Sequence, residues 1–322
     1  MAENRIQFQR GVSLAEFLKS YGTEAQCEAA VVEMRWPKAS GGFACPRCHC
    51  RRFAPTYNGR RLWECLECRY QCSSIAGTVF QDTKLPLTTW FLAIYFLSQN
   101  KQSISGLELK RLIGVSYRTA WMLKHKLTQT MCERESERRL SGRVEIDDAF
   151  LGGERPGRHG RGDTTKSGFV AAVATNGVGR PTHVRFDLVP DFSKASIASW
   201  ASRALASDAT TLSDGWTGFH ALSERGERSH SHQRYVCGRG PKAAQHPEFR
   251  WVNTLLSNLK TALSGTFHAF NHKKYGQRYL AEFAWRFNRR AHMPSMLPRL
   301  LHRAVRTKPW PEAMLRLSES RT

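Results

Sequence analysis

Apolar positions in the first third of the chain fall into short helical and β-type patterns. Leu14, Phe17 and Leu18, followed by Ala29, Val31 and Val32, recur at helical spacing on either side of Gly22, which predicts two short helices over 13–34. Between 43 and 72 the apolar residues are Phe53, Tyr57, Leu62 and Trp63, β-type residues that predict short strands. Pro86 opens a run of long apolar side chains, so a helix is predicted over 87–99, where proline suits the first turn. From Ser103 to Leu127 two helical patterns are interrupted by Gly114 and Ser116. A turn glycine followed by a capping serine predicts a helix-turn-helix. The apolar side of its second helix carries Ala120, Leu123 and Leu127, which leaves Tyr117, Arg118, Trp121, Lys124 and His125 to face a major groove or phosphates.

After the charged run 134–139, read as a linker, the period changes from helical to alternating. Three strands are predicted near 143–147, 168–174 and 182–189, then a helix over 193–206 and a fourth strand over 210–214. That order begins a ribonuclease-H-like fold, in which the first and fourth strands lie parallel and adjacent. Asp147 and Asp214, remote in sequence, would then meet. Two carboxylates at one point suit hard divalent cations such as Mg²⁺ or Mn²⁺. Asp148 is the neighbouring alternative, but strand alternation sends adjacent side chains to opposite faces, so only one of the two should reach the site. The stretch 152–161, rich in Gly and Arg, reads as a mobile basic loop. Leu280, Phe283, Ala284 and Phe287 predict a helix packed on the sheet, with a basic end, Arg286 to Arg290, that could touch DNA or cap the helix in solvent.

Cysteine spacing adds a metal. Cys45 and Cys48, then Cys65 and Cys68, form two C-x₂-C knuckles, the pattern of four thiolates around one structural Zn²⁺. Cys27, Cys50, Cys72, Cys132 and Cys237 follow no such spacing and read as small buried or free thiols, with Cys50 and Cys72 as weak rivals for a ligand place, and His230, His232, His268 and His272 read as polar surface residues. The nine cysteines are odd in number and no secretory leader precedes them, which points to reduced thiols in a cytoplasm. Lys and Arg number 49 against 27 Asp and Glu, a net charge of +22 that suits a polyanionic partner and salt-dependent binding. A membrane is disfavoured, because the longest apolar run, Trp90 to Leu97, is far shorter than the roughly 20 residues a spanning helix needs.

Six blocks then coincide: the ribbon, GTVFQDTKLPLTTWFLAIY, LIGVSYRTAWMLKHKL, VEIDDAFLGG, LSDGWTGF and VNTLLSNLK with the helix after it. From about Val12 to Thr307 the chain resembles the zinc-ribbon DDE transposases of bacterial insertion sequences. The resemblance implies a multidomain α+β protein: a helical segment (1–40), the zinc ribbon (41–75), a helix-turn-helix region (76–133), a ribonuclease-H-like α/β domain with a mixed sheet (141–292) and a helical tail (293–322). Asp147 and Asp214 match the first two catalytic aspartates. Many relatives have Glu at the position of Leu256, whereas a branch with VNTxxxNxK has Asn and Lys instead, which maps onto Asn253, Asn258 and Lys260. The family pattern favours Asn258 with Lys260. Asn253 is the rival and Glu248 a third candidate; on one helix Asn253 and Asn258 lie about 140° apart and cannot share a metal. The resemblance further implies Mg²⁺- or Mn²⁺-dependent cleavage and strand transfer, double-stranded DNA partners (terminal inverted repeats and target), a homo-oligomer on DNA and a nucleoid-associated location. The alternative is a domesticated DNA-binding relative without the chemistry.

Overall fold

The computed structural model describes residues 6, 8–57, 61–152, 166–223, 231–236 and 246–317. The basic stretch 153–161, His230, Cys237 and 318–322 lie outside the described residues. The chain divides into two compact units, one of 1–130 with 291–315 and one centred on 131–290.

In the first unit α1 (Leu14–Tyr21) and α2 (Glu24–Arg35) each start in a capping box, Ser13 with Glu16 and Thr23 with Gln26. The ribbon follows as an antiparallel sheet of β1 (Phe53–Tyr57), β2 (Arg61–Cys65) and β3 (Gln71–Cys72). α3 spans Leu87–Gln99. Its Pro86 offers no capping side chain, and the Glu24 carboxylate takes over by accepting from the Leu87 and Thr88 amides at 2.8 and 3.1 Å. The predicted helix-turn-helix consists of α4 (Gly106–Ile113), which ends in left-handed Gly114 (φ 68°), and α5 (Tyr117–Ser136), whose first turn is capped by Ser116 donated to by the Thr119 amide. Later elements of this unit are α9 (Met296–Ala304) and α10 (Glu312–Arg316).

Two expectations about α5 are corrected. The run 134–139 is no free linker: α5 continues to Ser136, and buried Glu135 pairs with Arg289 at 2.6 Å. Lys124 and His125 do not reach the surface either. Lys124 is 2% exposed, and its ammonium donates to the Ile104 carbonyl and to Ser103, a buried contact that holds the segment before α4 against α5.

The second unit is a mixed five-stranded sheet in the order β6-β5-β4-β7-β8, with β4 (Arg143–Leu151), β5 (Ser167–Thr175), β6 (Pro181–Leu188), β7 (Thr210–Asp214) and β8 (His232–Tyr235). β4, β5 and β6 form an antiparallel meander, α6 (Lys194–Ala204) crosses over, and β7 returns parallel to β4. Even-numbered β4 residues Val144 and Ile146 pack with α6 through Ile197, Trp200 and Ala201. Odd-numbered Ala149 and Leu151 face α7 (Arg250–Thr266) and α8 (His272–Phe287) through Val252, Leu255, Leu259, Leu280 and Ala284. The basic end after α8 contacts the protein itself: Arg286 pairs with Glu282, Arg289 with Glu135, and Arg290 donates to the Phe287, Pro181 and Thr182 carbonyls. Neither DNA nor open solvent is needed to account for it.

Buried Glu145 fastens α7 to the sheet. Its Oε2 accepts the Trp251 and Val252 amides at 2.8 and 2.9 Å, which satisfies the first orphan donors of the helix. Burial, the largest influence, raises its pKa, opposed by those amides and by Arg143. Glu145→Ala should cost about 2–3 kcal/mol, since it strands those buried amides. Thermal unfolding of the variant measures it, and a loss under about 0.5 kcal/mol would refute the anchoring role.

Candidate active site

The parallel ladder between β4 and β7 positions the two aspartates. Its last register pair is Ile146 beside Ser213, so the next residues along the strands are Asp147 and Asp214. Paired residues of adjacent strands share a face, and the strands are about 4.8 Å apart. Leu212 and Ala149, two positions from them, both pack on the α7 side, so the aspartates belong to that face. Asp214 is held in a turn by the Trp216 amide, which donates to its Oδ1 at 3.0 Å. Both aspartates are half-buried.

Asp148 departs from expectation. One carboxylate oxygen each from Asp147, Asp148 and Asp214 lies within 4.8 Å of the others. Alternation would have excluded one neighbour, but Asp147 Oδ1 curls back to accept the Asp148 amide at 2.9 Å. At the end of the β4–β7 ladder the two carboxylates therefore converge instead of standing on opposite faces. Three hard oxygen donors gathered at one point are the ligand type that divalent cations such as Mg²⁺ take.

The residues proposed for the third position are separated by α7. Trp251 donates its indole N–H to the Gly179 carbonyl at 2.6 Å, in the β5–β6 hairpin, so that flank of α7 points toward the β6 edge. Asn258 follows seven residues later, about 20° around the helix from Trp251, and is exposed on the same flank. Asn253 is turned about 160° away from Trp251, on the opposite flank, with Lys260 within about 20° of it two turns further on. Asn253 is half-buried and Lys260 exposed, while Leu256 is packed into the core. Glu248 is engaged elsewhere, in an ion pair with Arg143.

The cysteine site is compact. Cys45, Cys48, Cys65 and Cys68 offer sulfurs that all lie within 4.8 Å of one another, with Cys45–Cys68 at 3.6 Å and Cys48–Cys65 at 3.5 Å. A tetrahedral ion with Zn–S near 2.3 Å requires sulfurs about 3.8 Å apart, so the set fits zinc. Each knuckle is followed by a left-handed residue, His49 (φ 62°) and Arg69 (φ 58°), which lets the Cys45 and Cys65 amides bond to the Cys50 and Tyr70 carbonyls at 2.9 Å. The knuckles thus repeat one geometry that spacing alone did not reveal. Amide donors, Cys68 first and then Glu67, draw the Cys65 thiol down to about 6 against the effect of burial. Burial pushes Cys72 up to about 11 and Cys27 to about 12, and neither sulfur belongs to the cluster of four. Cys50 packs beside the ribbon core without joining the four.

His232 is not the surface residue its sequence context suggests: it is half-buried between two hydroxyls, Ser213 on Nε2 at 2.9 Å and Ser223 on Nδ1 at 2.6 Å, and it ties β8 to the strand that carries Asp214. His272 contacts Ser167 at 3.0 Å, and His268 is exposed.

Known families match both regions of the chain. A family model described as the transposase zinc-ribbon domain matches residues 22–71, and one described as the ISXO2-like transposase domain matches residues 139–288. The chain thus carries a transposase zinc ribbon followed by an insertion-sequence transposase domain. The zinc-ribbon match contains all four clustered cysteines, and the transposase-domain match contains Asp147, Asp148, Asp214 and the whole of α7. An uncharacterised protein of the transposable element ISH50 in Halobacterium salinarum is 26% identical over 144 residues, 44% of this chain and 46% of that protein. The chain therefore matches less than half the length of this curated relative. No helix among the described residues is long and apolar enough to cross a membrane.

Proposed function

We propose that the protein binds double-stranded DNA at the terminal inverted repeats of an insertion sequence, cleaves a strand and joins the exposed end to target DNA. The observation that carries this reading is the side-by-side placement of Asp147 and Asp214 at the end of a parallel strand pair, on the sheet face that packs against α7, the helix bearing Asn253 and Lys260. Asp147 and Asp214 would hold Mg²⁺ or Mn²⁺, with Asp148 within reach. Divalent ions bound there supply charge neutralisation and an activated oxygen for in-line phosphodiester displacement. Asn253, not Asn258, supplies the third ligand in this reading, through its amide oxygen. That oxygen carries no charge, so Lys260 on the same flank compensates by attracting the phosphate. Hydrolysis leaves a 3′-hydroxyl, and this hydroxyl then attacks a target phosphate; no covalent protein intermediate is needed.

DNA recognition falls to the helix-turn-helix, where Tyr117 and Arg118 are exposed and Trp121 half-buried on the first turns of α5. The strongly positive chain supports a polyanionic partner. Joining two element ends calls for at least a dimer on DNA.

Asn253→Ala should lower nicking of inverted-repeat duplex by about 10²-fold or more, on the scale of one lost metal ligand, while Asn258→Ala changes it less than about threefold. A nicking assay in Mg²⁺ and in Mn²⁺ reads both variants. The reverse ranking would restore Asn258. Binding of the wild-type chain to inverted repeats without nicking in either metal would favour the second reading, a DNA-binding relative that lost its chemistry together with the third carboxylate.

A further inference from the structure

Arg118 is the second residue of α5, in the first turn of the second helix of the helix-turn-helix, and its side chain is 75% exposed. Its Nε and Nη2 both donate to a single oxygen, Glu312 Oε2, at 3.2 and 2.7 Å. Glu312 is 26% exposed and opens α10, a short helix whose Leu315 is fully buried, so the carboxylate is held in place by packing elsewhere on its own helix. An exposed ion pair of this kind adds little stability. Its consequence is geometric. The side-on edge of the guanidinium is engaged, the planar group is fixed, and the end-on edge, Nη1 with the second Nη2 hydrogen, has no partner among the described residues.

We infer that Arg118 reads a guanine in the major groove, with Glu312 as the positioning residue that aims it. The inference rests on the helix-turn-helix reading proposed above and adds the base it selects. The first turn of a recognition helix is the part that meets base edges. The end-on pair of donors matches guanine O6 and N7. A phosphate contact depends on net charge, and a carboxylate 2.7 Å away already offsets that of Arg118, whereas a paired-donor contact loses little from the offset.

The test uses the full chain, a pool of randomised duplexes, and then the selected duplex with 7-deazaguanine in place of each guanine in turn. The wild type should prefer G·C at one position and lose about tenfold affinity when that guanine lacks N7. Arg118→Ala should bind the 7-deazaguanine and parent duplexes equally. Arg118→Lys, which keeps the charge but not the fork, should not restore the difference, and Glu312→Gln should shrink it severalfold. Equal 7-deazaguanine penalties in wild type and Arg118→Ala would overturn the inference. So would Glu312→Gln tightening every duplex alike, the mark of a carboxylate that merely blocks the helix. Nicking is not part of this readout. A chain that selects guanine through Arg118 yet never cuts would refute the nuclease reading alone, and one that cuts through Asp147 without this selection would refute the Arg118 assignment alone.

Discussion

Asp147→Ala should abolish strand cleavage, by about 10³-fold or more, while leaving binding to inverted-repeat duplex within about twofold of wild type. The two readouts separate because Asp147 sits at the end of the β4–β7 ladder, whereas the proposed DNA contacts are on α5. Asp214→Ala should match it, and the double variant should be no worse than either single one, since both carboxylates would serve the same ions. Stability gives an independent sign. Without metal, three carboxylates whose oxygens lie within 4.8 Å repel one another, so removing one should leave the metal-free melting temperature unchanged or raise it. An ordinary half-buried polar residue would instead lower it. Gel-resolved nicking, duplex binding and thermal unfolding on the same variants distinguish these outcomes; cleavage retained by Asp147→Ala would end the assignment.

Zinc removal should unfold the ribbon. Its own core is small, with Trp36, Phe43 and Trp63 packed around the buried cysteines, and its third strand is only two residues long. So little apolar area cannot offset the entropy of ordering some thirty residues. Zinc affinity supplies the difference, on the order of 10–16 kcal/mol for such sites near neutral pH. Chelation, or Cys65→Ser, should expose Trp36 and Trp63 to water, seen as a red shift in tryptophan emission, with one zinc per chain lost by metal analysis. Acid should release the zinc as protons compete for the thiolates. Cys50→Ser and Cys72→Ser should keep their zinc, and a loss in either would revise the ligand set.

Much of this was legible in the sequence because it depends on local pattern. Knuckle spacing named the four zinc ligands, Gly114 and Ser116 marked the turn between α4 and α5, and alternation around 143–189 and 210–214 marked four of the five strands of the second sheet. β8, with His-Gln-Arg-Tyr, escaped because its half-exposed, polar residues carry no alternation. Helical spacing cannot anticipate that the Ile104 carbonyl holds the buried Lys124 ammonium. Strand alternation lets only one of Asp147 and Asp148 reach the site, a rule for regular strands that the side-chain turn at Asp147 breaks. The third position could not be decided from spacing, since Asn253 and Asn258 are both polar residues on one helix. The Trp251 bond to Gly179 puts Asn258 on the flank toward the β6 edge and Asn253 on the opposite one.

If Asp147 and Asp214 share divalent ions, anomalous diffraction from crystals of the full chain soaked in Mn²⁺ should reveal it. A manganese peak bonded to both carboxylates is expected, with the Asn253 amide oxygen as its nearest ligand from α7. A peak on one aspartate alone, or manganese bound in the crystal but not between them, would contradict that sharing.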